Sequence, residues 1–224
     1  MALILHIDTA VHSASVCLAD SEQILGTAMN PSEKESASWL HTAIQNLLQK
    51  NKHTLEQIEA IAISAGPGSY TGLRVGMAAA KGLCYGLSKP LITINTLQMI
   101  AASADSSLAQ LFCPMIDARR MEVFTALYDG ALNEVMPSTN MIIEESFFKK
   151  WLEEYSINFF GNGSVKATAV IKHQNAIFTT VKSSAVNMVS LAREKFEQHQ
   201  FSDLAYTQPF YGKDFHSSIS KKNY

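Results

Sequence analysis

Apolar residues fall in short runs from the first residues onward, and their period changes along the chain. "ALILHID", residues 2–8, is a continuous β-prone run, and "ASVCLA" and "QILGTAM" follow it after turn-like breaks. The tight "ADSE" link between the last two predicts a hairpin, so the chain opens as a three-stranded meander. Ser32 and Glu35 then read as a capping box just after Pro31. Behind them Trp39, Leu40, Ala43, Ile44, Leu47 and Leu48 recur at helical spacing, which predicts an amphipathic helix over 33–50. Thr54 and Gln57 repeat the capping signal for a brief helical turn before the strand "AIAIS". A glycine loop, a helix from about Tyr70 to Leu87, a strand "PLITI" and a helix "TLQMIAASA" complete the series.

From Leu111 the order begins again. "LFCPMID" is a strand ending in an acid, as "ALILHID" is, and "EVFTALYDGALNEVM" gives two strands joined by Asp129-Gly130, a type I′ turn signal. "EESFFKKWLEEY" reads as helical and "SINFFGNGS" as a strand entering a second glycine turn. A helix, the short strand "AIFTTV" and the helix "AVNMVSLAREKFEQH" follow. A duplicated β-β-β-α-β-α-β-α unit predicts an α/β protein of the actin-like type, built of two ribonuclease H-like halves with a ligand cleft between them. The expected halves are 1–105 and 106–204, meeting near Ala104–Ser107. Chain near Ala205–Phe215 returns to the first half, and 216–224 is expected to be a mobile tail.

Composition narrows the function. The chain has 224 residues, 47% of them apolar, enough for a well-filled core, and a formal charge of −2 with lysines and arginines dispersed. No basic block marks an autonomous nucleic-acid surface, so affinity for nucleic acid has to be supplemented by a partner. Cys17, Cys84 and Cys113 lack CxxC spacing and read as buried, reduced thiols of a cytosolic protein. "MALILHIDTA" reads as a core strand and not a signal peptide, and no run approaches the ~20 apolar residues of a membrane span. The seven histidines show neither HxxxH nor HExxH spacing, so no metal site is proposed, and GxSxG is missing.

Two kinds of site remain. Asp8, followed by Thr9 and Ser13, closes the first strand; in an actin-type cleft such an acid orients hydrated magnesium, and otherwise it is an Asx-turn acceptor. Gly66, Gly68 and Ser69 form a strand-to-helix loop suited to an anion or simply to a tight turn, and it is not a Walker loop. Asp117 mirrors Asp8, either as a second phosphate-side acid or as a partner of Arg119 or Arg120. Gly161 and Gly163 stand where an adenosine-contacting turn would be, or make a plain turn. The helix behind the loop is rich in glycine, at up to ~1 kcal/mol each relative to alanine. Gly72, Gly76 and Ala80 recur every fourth residue beside Leu73 and Met77. Packing on the protein's own sheet accounts for one face, and a close-approaching partner helix for another.

The blocks "HIDTA", "ISAGPGSYTGLRVGMAAAKGL", "PLITINTL", "MIDARRMEVFTALY" and "FFGNGS" together resemble the TsaB (YeaZ) family across most of the chain. The GPGS-[FY]-TG-[LV]-R-x-G block is the most specific of them. The resemblance implies an actin-like (ASKHA) fold and a cytoplasmic scaffold that is not an enzyme on its own. It implies that the chain pairs with TsaD in forming threonylcarbamoyl-adenosine on tRNAs reading ANN codons. TsaE, an ATPase, joins the pair, and tRNA is reached only through the complex. No cofactor is implied for the chain itself, with weak ATP or ADP binding left open at the level of the complex. Trp39, Leu40, Ala43 and Leu47 of the first long helix, with Gly72, Leu73, Gly76, Met77 and Ala80, are then the expected partner interface, and an isolated chain has the option of pairing with itself there. Asp8, Thr9, Gly66, Gly68, Ser69, Asp117, Gly161 and Gly163 become a vestigial nucleotide site. The alternative is a small actin-fold kinase or ATPase using Asp8 and Asp117 with magnesium. The chain departs from the family pattern at "KESASWL", which lacks a histidine common there, and at "PFYGKDF", where Gly212 and Lys213 replace Leu and Arg.

Overall fold

The computed structural model describes residues 2–11, 13–32, 35–144 and 146–212. β1 (Leu3–Asp8), β2 (Ser15–Asp20) and β3 (Gln23–Met29) form the opening meander, and β4 (Ala60–Ser64) and β5 (Leu91–Ile94) extend it. The first sheet runs β3-β2-β1-β4-β5, antiparallel on the meander side and parallel from β1 to β5. β6 (Leu111–Asp117), β7 (Glu122–Asp129), β8 (Glu134–Ile142), β9 (Ile157–Phe160) and β10 (Ala176–Phe178) make the second sheet. Its order, β10-β9-β6-β7-β8, with antiparallel β6–β7–β8 and parallel β6–β9–β10, repeats the first. Two ribonuclease H-like units in tandem are the actin-like arrangement the repeated order of elements predicts.

Each sheet is covered on both faces. α1 (Ser36–Lys50) and α2 (Tyr70–Leu87) bury Leu40, Ile44, Leu48, Met77 and Ala80 against Leu3, Leu5 and Ile7 on the outer face of the first sheet. α4 (Lys149–Glu154) and α5 (Ser164–Val170) do the same for the second, where Phe148 packs edge-on to Phe159. Between the sheets lie α3 (Thr96–Ala101) and α6 (Val189–Glu197), and here the halves interlock. α3 leaves the first sheet and packs on β6 and β7, while α6 leaves the second and packs on β5 and β1. Strand alternation places Ile4, His6 and Asp8 on this inner face. Ile4 joins Leu97, Ile100, Phe112, Phe160, Met188 and Leu191 in one shared core. After α6 the chain returns to the first half. Ser202 bridges Leu91, Lys81 Nζ donates to the carbonyls of Ala205 and Thr207, and Phe210 N donates to Ala65 O at 2.7 Å. The expected tail, 216–224, lies outside the described residues. No helix among the described residues is long and apolar enough to cross a membrane.

Two local expectations are corrected. α1 begins at Ser36 with Glu35 as its N-cap and no side-chain cap, in place of a Ser32–Glu35 capping box. Asn30 Oδ1 accepts from Ser32 N at 3.0 Å, so an Asx turn ends β3 before the helix can start. The β7–β8 link is likewise not a two-residue turn on Asp129-Gly130. Asp129 accepts from the amides of Ala131 and Asn133 and from Asn133 Nδ2, and the left-handed residue is Leu132, at φ 62°.

The glycines of α2 divide by face. A Cβ on Gly72 would lie 2.0 Å from Thr9 O, and one on Gly76 2.1 Å from Thr9 Oγ1 and 3.0 Å from Ile63 Cδ1, whereas Gly82 and Gly86 have nothing within 4 Å. Gly76→Ala should therefore destabilise the fold by roughly 1–3 kcal/mol, as an overpacked core does. Gly82→Ala should gain up to ~1 kcal/mol through helix propensity. Urea unfolding of the two variants beside the parent checks this, and equal midpoints would contradict the division.

Candidate functional site

β1 is pinned between β2 and β4, so its last residue, Asp8, stops at the edge of the shared core with no exposed surface. Its Oδ1 accepts from Ser64 Oγ at 2.6 Å and from Ala10 N at 2.9 Å, while Oδ2 has no partner. Burial pushes the carboxyl up to about 6, and these two donors offset only part of that shift. His6, two residues earlier on the same face, has Nδ1 at 3.3 Å from Cys17 O and an unpartnered Nε2. Burial holds it down at about 4, so the ring is neutral at physiological pH.

The loop after β4 wraps this strand end. Gly66 is left-handed at φ 109°, and the Gly66–Pro67 peptide is cis. A Cβ on Gly66 would strike Phe210 O and one on Gly68 would strike Ala10 O, so both glycines admit neighbouring backbone from this chain. The amides are engaged in the same way. Ala65 N donates to Ile94 O, Gly66 N to Thr96 Oγ1, Ser69 N to Ala10 O and Gly72 N to Ser69 Oγ, which caps α2. Thr9 closes the arrangement by donating to Gly72 O at 2.7 Å. Asp8, Thr9, Gly66, Gly68 and Ser69 are thus brought together, with the amides of Ala65, Gly66, Ser69 and Gly72 bonded inside the chain and Phe210 O seated against Gly66.

The mirror-image loop of the second half is built differently. Gly161, at φ 92°, passes close to Met115 O, and a Cβ on Gly163 would meet Asp117 N at 3.1 Å. Asn162 Oδ1 accepts from Asp117 N at 2.9 Å, tying the two predicted elements together. Asp117 is exposed and its carboxylate pairs with Lys166 of α5, with the lysine hydrogen bond holding it below the ordinary carboxylate range. Of the two alternatives for Asp117, side-chain pairing with Arg119 or Arg120 gives way to a lysine 49 residues on, while Arg119 contributes its backbone amide. A groove of about 360 Å³ lies between the halves, lined by Val11 and Ser13 of the β1–β2 connection on one side and by Gly161, Asn162, Ser164 and Val165 on the other. No group of three metal-ligating side chains is gathered among the described residues.

The residues expected at a partner interface line the chain's own core instead. Leu40, Ala43, Leu47, Leu73, Gly76, Met77 and Ala80 are buried beneath α1 and α2, Trp39 packs against the same cluster, and Gly72 abuts Thr9. The reason is general: the apolar stripe of a surface helix is the one that covers its sheet. What α1 and α2 present outward is a shallow groove of about 430 Å³ lined by Ala37, His41, Val75, Ala78, Ala79, Gly82 and Leu83. Tyr85 stands beside it, 82% exposed. Periodicity hides this surface because its residues are small and break no pattern. At the other edge of α2, Arg74 lies 4.0 Å over the Tyr70 ring and donates through Nε to Tyr211 OH, so its partners are aromatic and hold the returning segment to the helix.

The comparisons with known proteins agree with this architecture. The family model for TsaD, tRNA N6-adenosine threonylcarbamoyltransferase, matches residues 23–219. The tRNA threonylcarbamoyladenosine biosynthesis protein TsaB of Bacillus subtilis is 30% identical over 153 residues, 67% of this chain and 64% of that protein. TsaB of Escherichia coli is 34% identical over 133 residues, 59% of this chain and 57% of that protein. The matched chain thus spans less than two thirds of the length of these curated relatives. A crystal structure from Pseudomonas aeruginosa, described as an uncharacterized protein with similarity to peptidase YeaZ, superposes with a TM-score of 0.85 at 22% identity. It covers 95% of this chain and 100% of its own.

Asp8 carries a testable consequence. Its folded pKa of about 6 lies above the ordinary 3.8, so its contribution to stability is full below pH 4 and is lost as pH rises through 6. A shift of that size is worth about 3 kcal/mol. Asp8→Asn cannot ionise and should gain on the parent by up to this amount at pH 8 and by nothing comparable at pH 4. Denaturation at the two pH values measures the difference, and parallel curves would contradict the buried, strained carboxylate.

Proposed function

We propose, for a chain that belongs to the tRNA N6-adenosine threonylcarbamoyltransferase (TsaD) family and within it to the TsaB (YeaZ) group, a role as the non-catalytic scaffold partner of TsaD. The reaction served is threonylcarbamoyl-adenosine formation on tRNAs that read ANN codons. TsaE and tRNA join through that pair, and the catalytic groups belong to TsaD. The observation that carries this reading is the outward groove between α1 and α2. Gly82 sits inside α2, at a cost of about 1 kcal/mol, and Gly86 in its last turn, and no contact among the described residues asks for either. An approaching helix does, because small residues let two backbones come close. The groove floor of Val75, Ala78, Ala79 and Leu83 then supplies apolar surface for a helix pair of TsaD.

The alternative, a small actin-fold kinase or ATPase, draws on the groove between the halves and on the unpartnered Oδ2 of Asp8. Against it stand the amides of Gly66 and Ser69 bonded within the chain, Phe210 O over Gly66, and the Asp117–Lys166 pair. In an isolated chain, the groove exposed on α1 and α2 also offers a route to a homodimer, which TsaD would compete away.

Gly82→Leu tests the scaffold role, because space outside Gly82 admits the side chain without disturbing the fold. Holding the partner helices apart should cost roughly 1–3 kcal/mol, by analogy with overpacked cores. At 1.4 kcal/mol per tenfold, pairing with TsaD should weaken by about one to two orders of magnitude. Titration calorimetry against TsaD of the same source reads the affinity, and the modified adenosine content of bulk tRNA reads the outcome. A parent chain that does not pair, or a variant that pairs as well as the parent, overturns the reading.

A further inference from the structure

The connection from β6 to β7 has a backbone that its residues do not favour. Arg119 and Arg120 are successive and both left-handed, at φ 69° and 52°. That region suits glycine, asparagine and aspartate, because a Cβ followed by a longer chain crowds the neighbouring carbonyl there. The turn is well defined all the same. Ala118 N donates to Glu122 O and Glu122 N to Arg119 O, each at 3.1 Å, and Arg119 N donates to Asp117 Oδ1 at 2.7 Å. Nothing inside the hairpin explains why arginine occupies either position.

The local acids are engaged elsewhere. Asp117 is paired with Lys166, and Glu122 Oε2 accepts from Asn140 Nδ2 at 3.0 Å. Neither arginine forms an ion pair with a carboxylate of the described residues, and both are exposed, as is Met121 beside them. Two adjacent guanidinium groups with no ion-pair partner among the described residues therefore project from a fixed turn, on a chain whose net charge is −2. Asp117 Oδ1 is shared between Lys166 Nζ and Arg119 N, and Asn162 anchors the base of the turn through Asp117 N.

We propose that the Arg119–Arg120 turn is a phosphate-contacting point through which the protein engages the sugar-phosphate backbone of its RNA substrate. Guanidinium presents a planar fork of donors that matches phosphate oxygens in pairs, and it keeps its charge at any physiological pH. Contact with phosphate orients an RNA without reading its sequence, which suits a subunit that serves many tRNAs. The inference rests on the scaffold reading above, since that reading supplies the polyanion. Two such contacts are too few for an autonomous RNA-binding surface and enough to tune one shared with a partner.

The test is tRNA binding by the assembled complex with TsaD, measured across a range of salt concentrations. Arg119→Asn with Arg120→Gly suits the backbone of the turn while removing both charges, and Arg119→Lys with Arg120→Lys keeps the charges. The Asn-Gly variant should melt no lower than the parent, assemble normally with TsaD, and bind tRNA about tenfold more weakly near 0.1 M salt. Its log–log salt slope should be shallower by about 1.5, for two phosphates at roughly 0.7–0.9 each. The lysine pair should retain the slope. Unchanged affinity and slope in an Asn-Gly variant that assembles overturns this inference and leaves the scaffold role intact. An Asn-Gly variant that no longer assembles places the turn at a protein interface and overturns it too. A parent chain that does not assemble with TsaD removes both.

Discussion

The rest of the molecule depends on the core shared between the two sheets. α3 belongs to the first half by sequence and to the second by packing, and α6 does the reverse. Neither half buries its inner face alone, so the two sheets are held at one separation by helices that each has lent to the other. Burial of apolar area at ~25 cal/mol per Å² makes such a layer hard to open, since parting the halves would expose Phe112, Phe160, Met188 and Leu191 together. Rotation of one sheet against the other is opposed by that packing.

The same layer explains the state of Asp8. Residues alternate along β1, so the strand that sends Leu3, Leu5 and Ile7 outward must send Ile4, His6 and Asp8 into the shared core. The acid is then short of donors because its neighbours serve the strand's own turn, Ser64 and Ala10 being the two within reach. In the second half the equivalent Asp117 ends one residue beyond the buried part of β6, where Lys166 meets it in solvent. Two acids at corresponding positions thus have opposite electrostatics, one pushed up by burial and one held down by a cation.

Much of the architecture was legible in the sequence, and the reasons are physical. A strand buried on both faces reads as a continuous apolar run, a half-buried helix as a 3.6-residue stripe, and a tandem repeat as the same order of elements twice. Each is a local signal, so "ALILHID" and "LFCPMID" announce two sheets without any knowledge of their contacts. What failed was anything decided at a distance or by facing. Lys166 pairs with Asp117 across 49 positions, and no spacing rule reaches that far. The packing of α2 on the end of β1 is hidden for a subtler reason. Gly72, Gly76 and Ala80 follow a clean i, i+4 pattern, and the sequence carries no mark to say that Thr9 fills the hollow they leave.

The two sets of glycines on α2 show how one helix answers two constraints. Gly72 and Gly76 are small because Thr9 and Ile63 press on them from inside, and that contact fixes the helix against the end of β1. Once the helix is seated, the positions half a turn away have no internal reason to be anything but good helix formers. Ala78 meets that expectation; Gly82 and Gly86 do not. Propensity alone would replace both with alanine, and nothing in the fold resists the change. Stability given up on an exposed helix face, with no internal return, is where a requirement from outside the chain becomes visible. The Arg119–Arg120 turn has the same form: a local preference overruled, with no ion pair to either side chain among the described residues. Both departures lie on the surface, one in an apolar groove between α1 and α2, the other a charged turn at the end of β6.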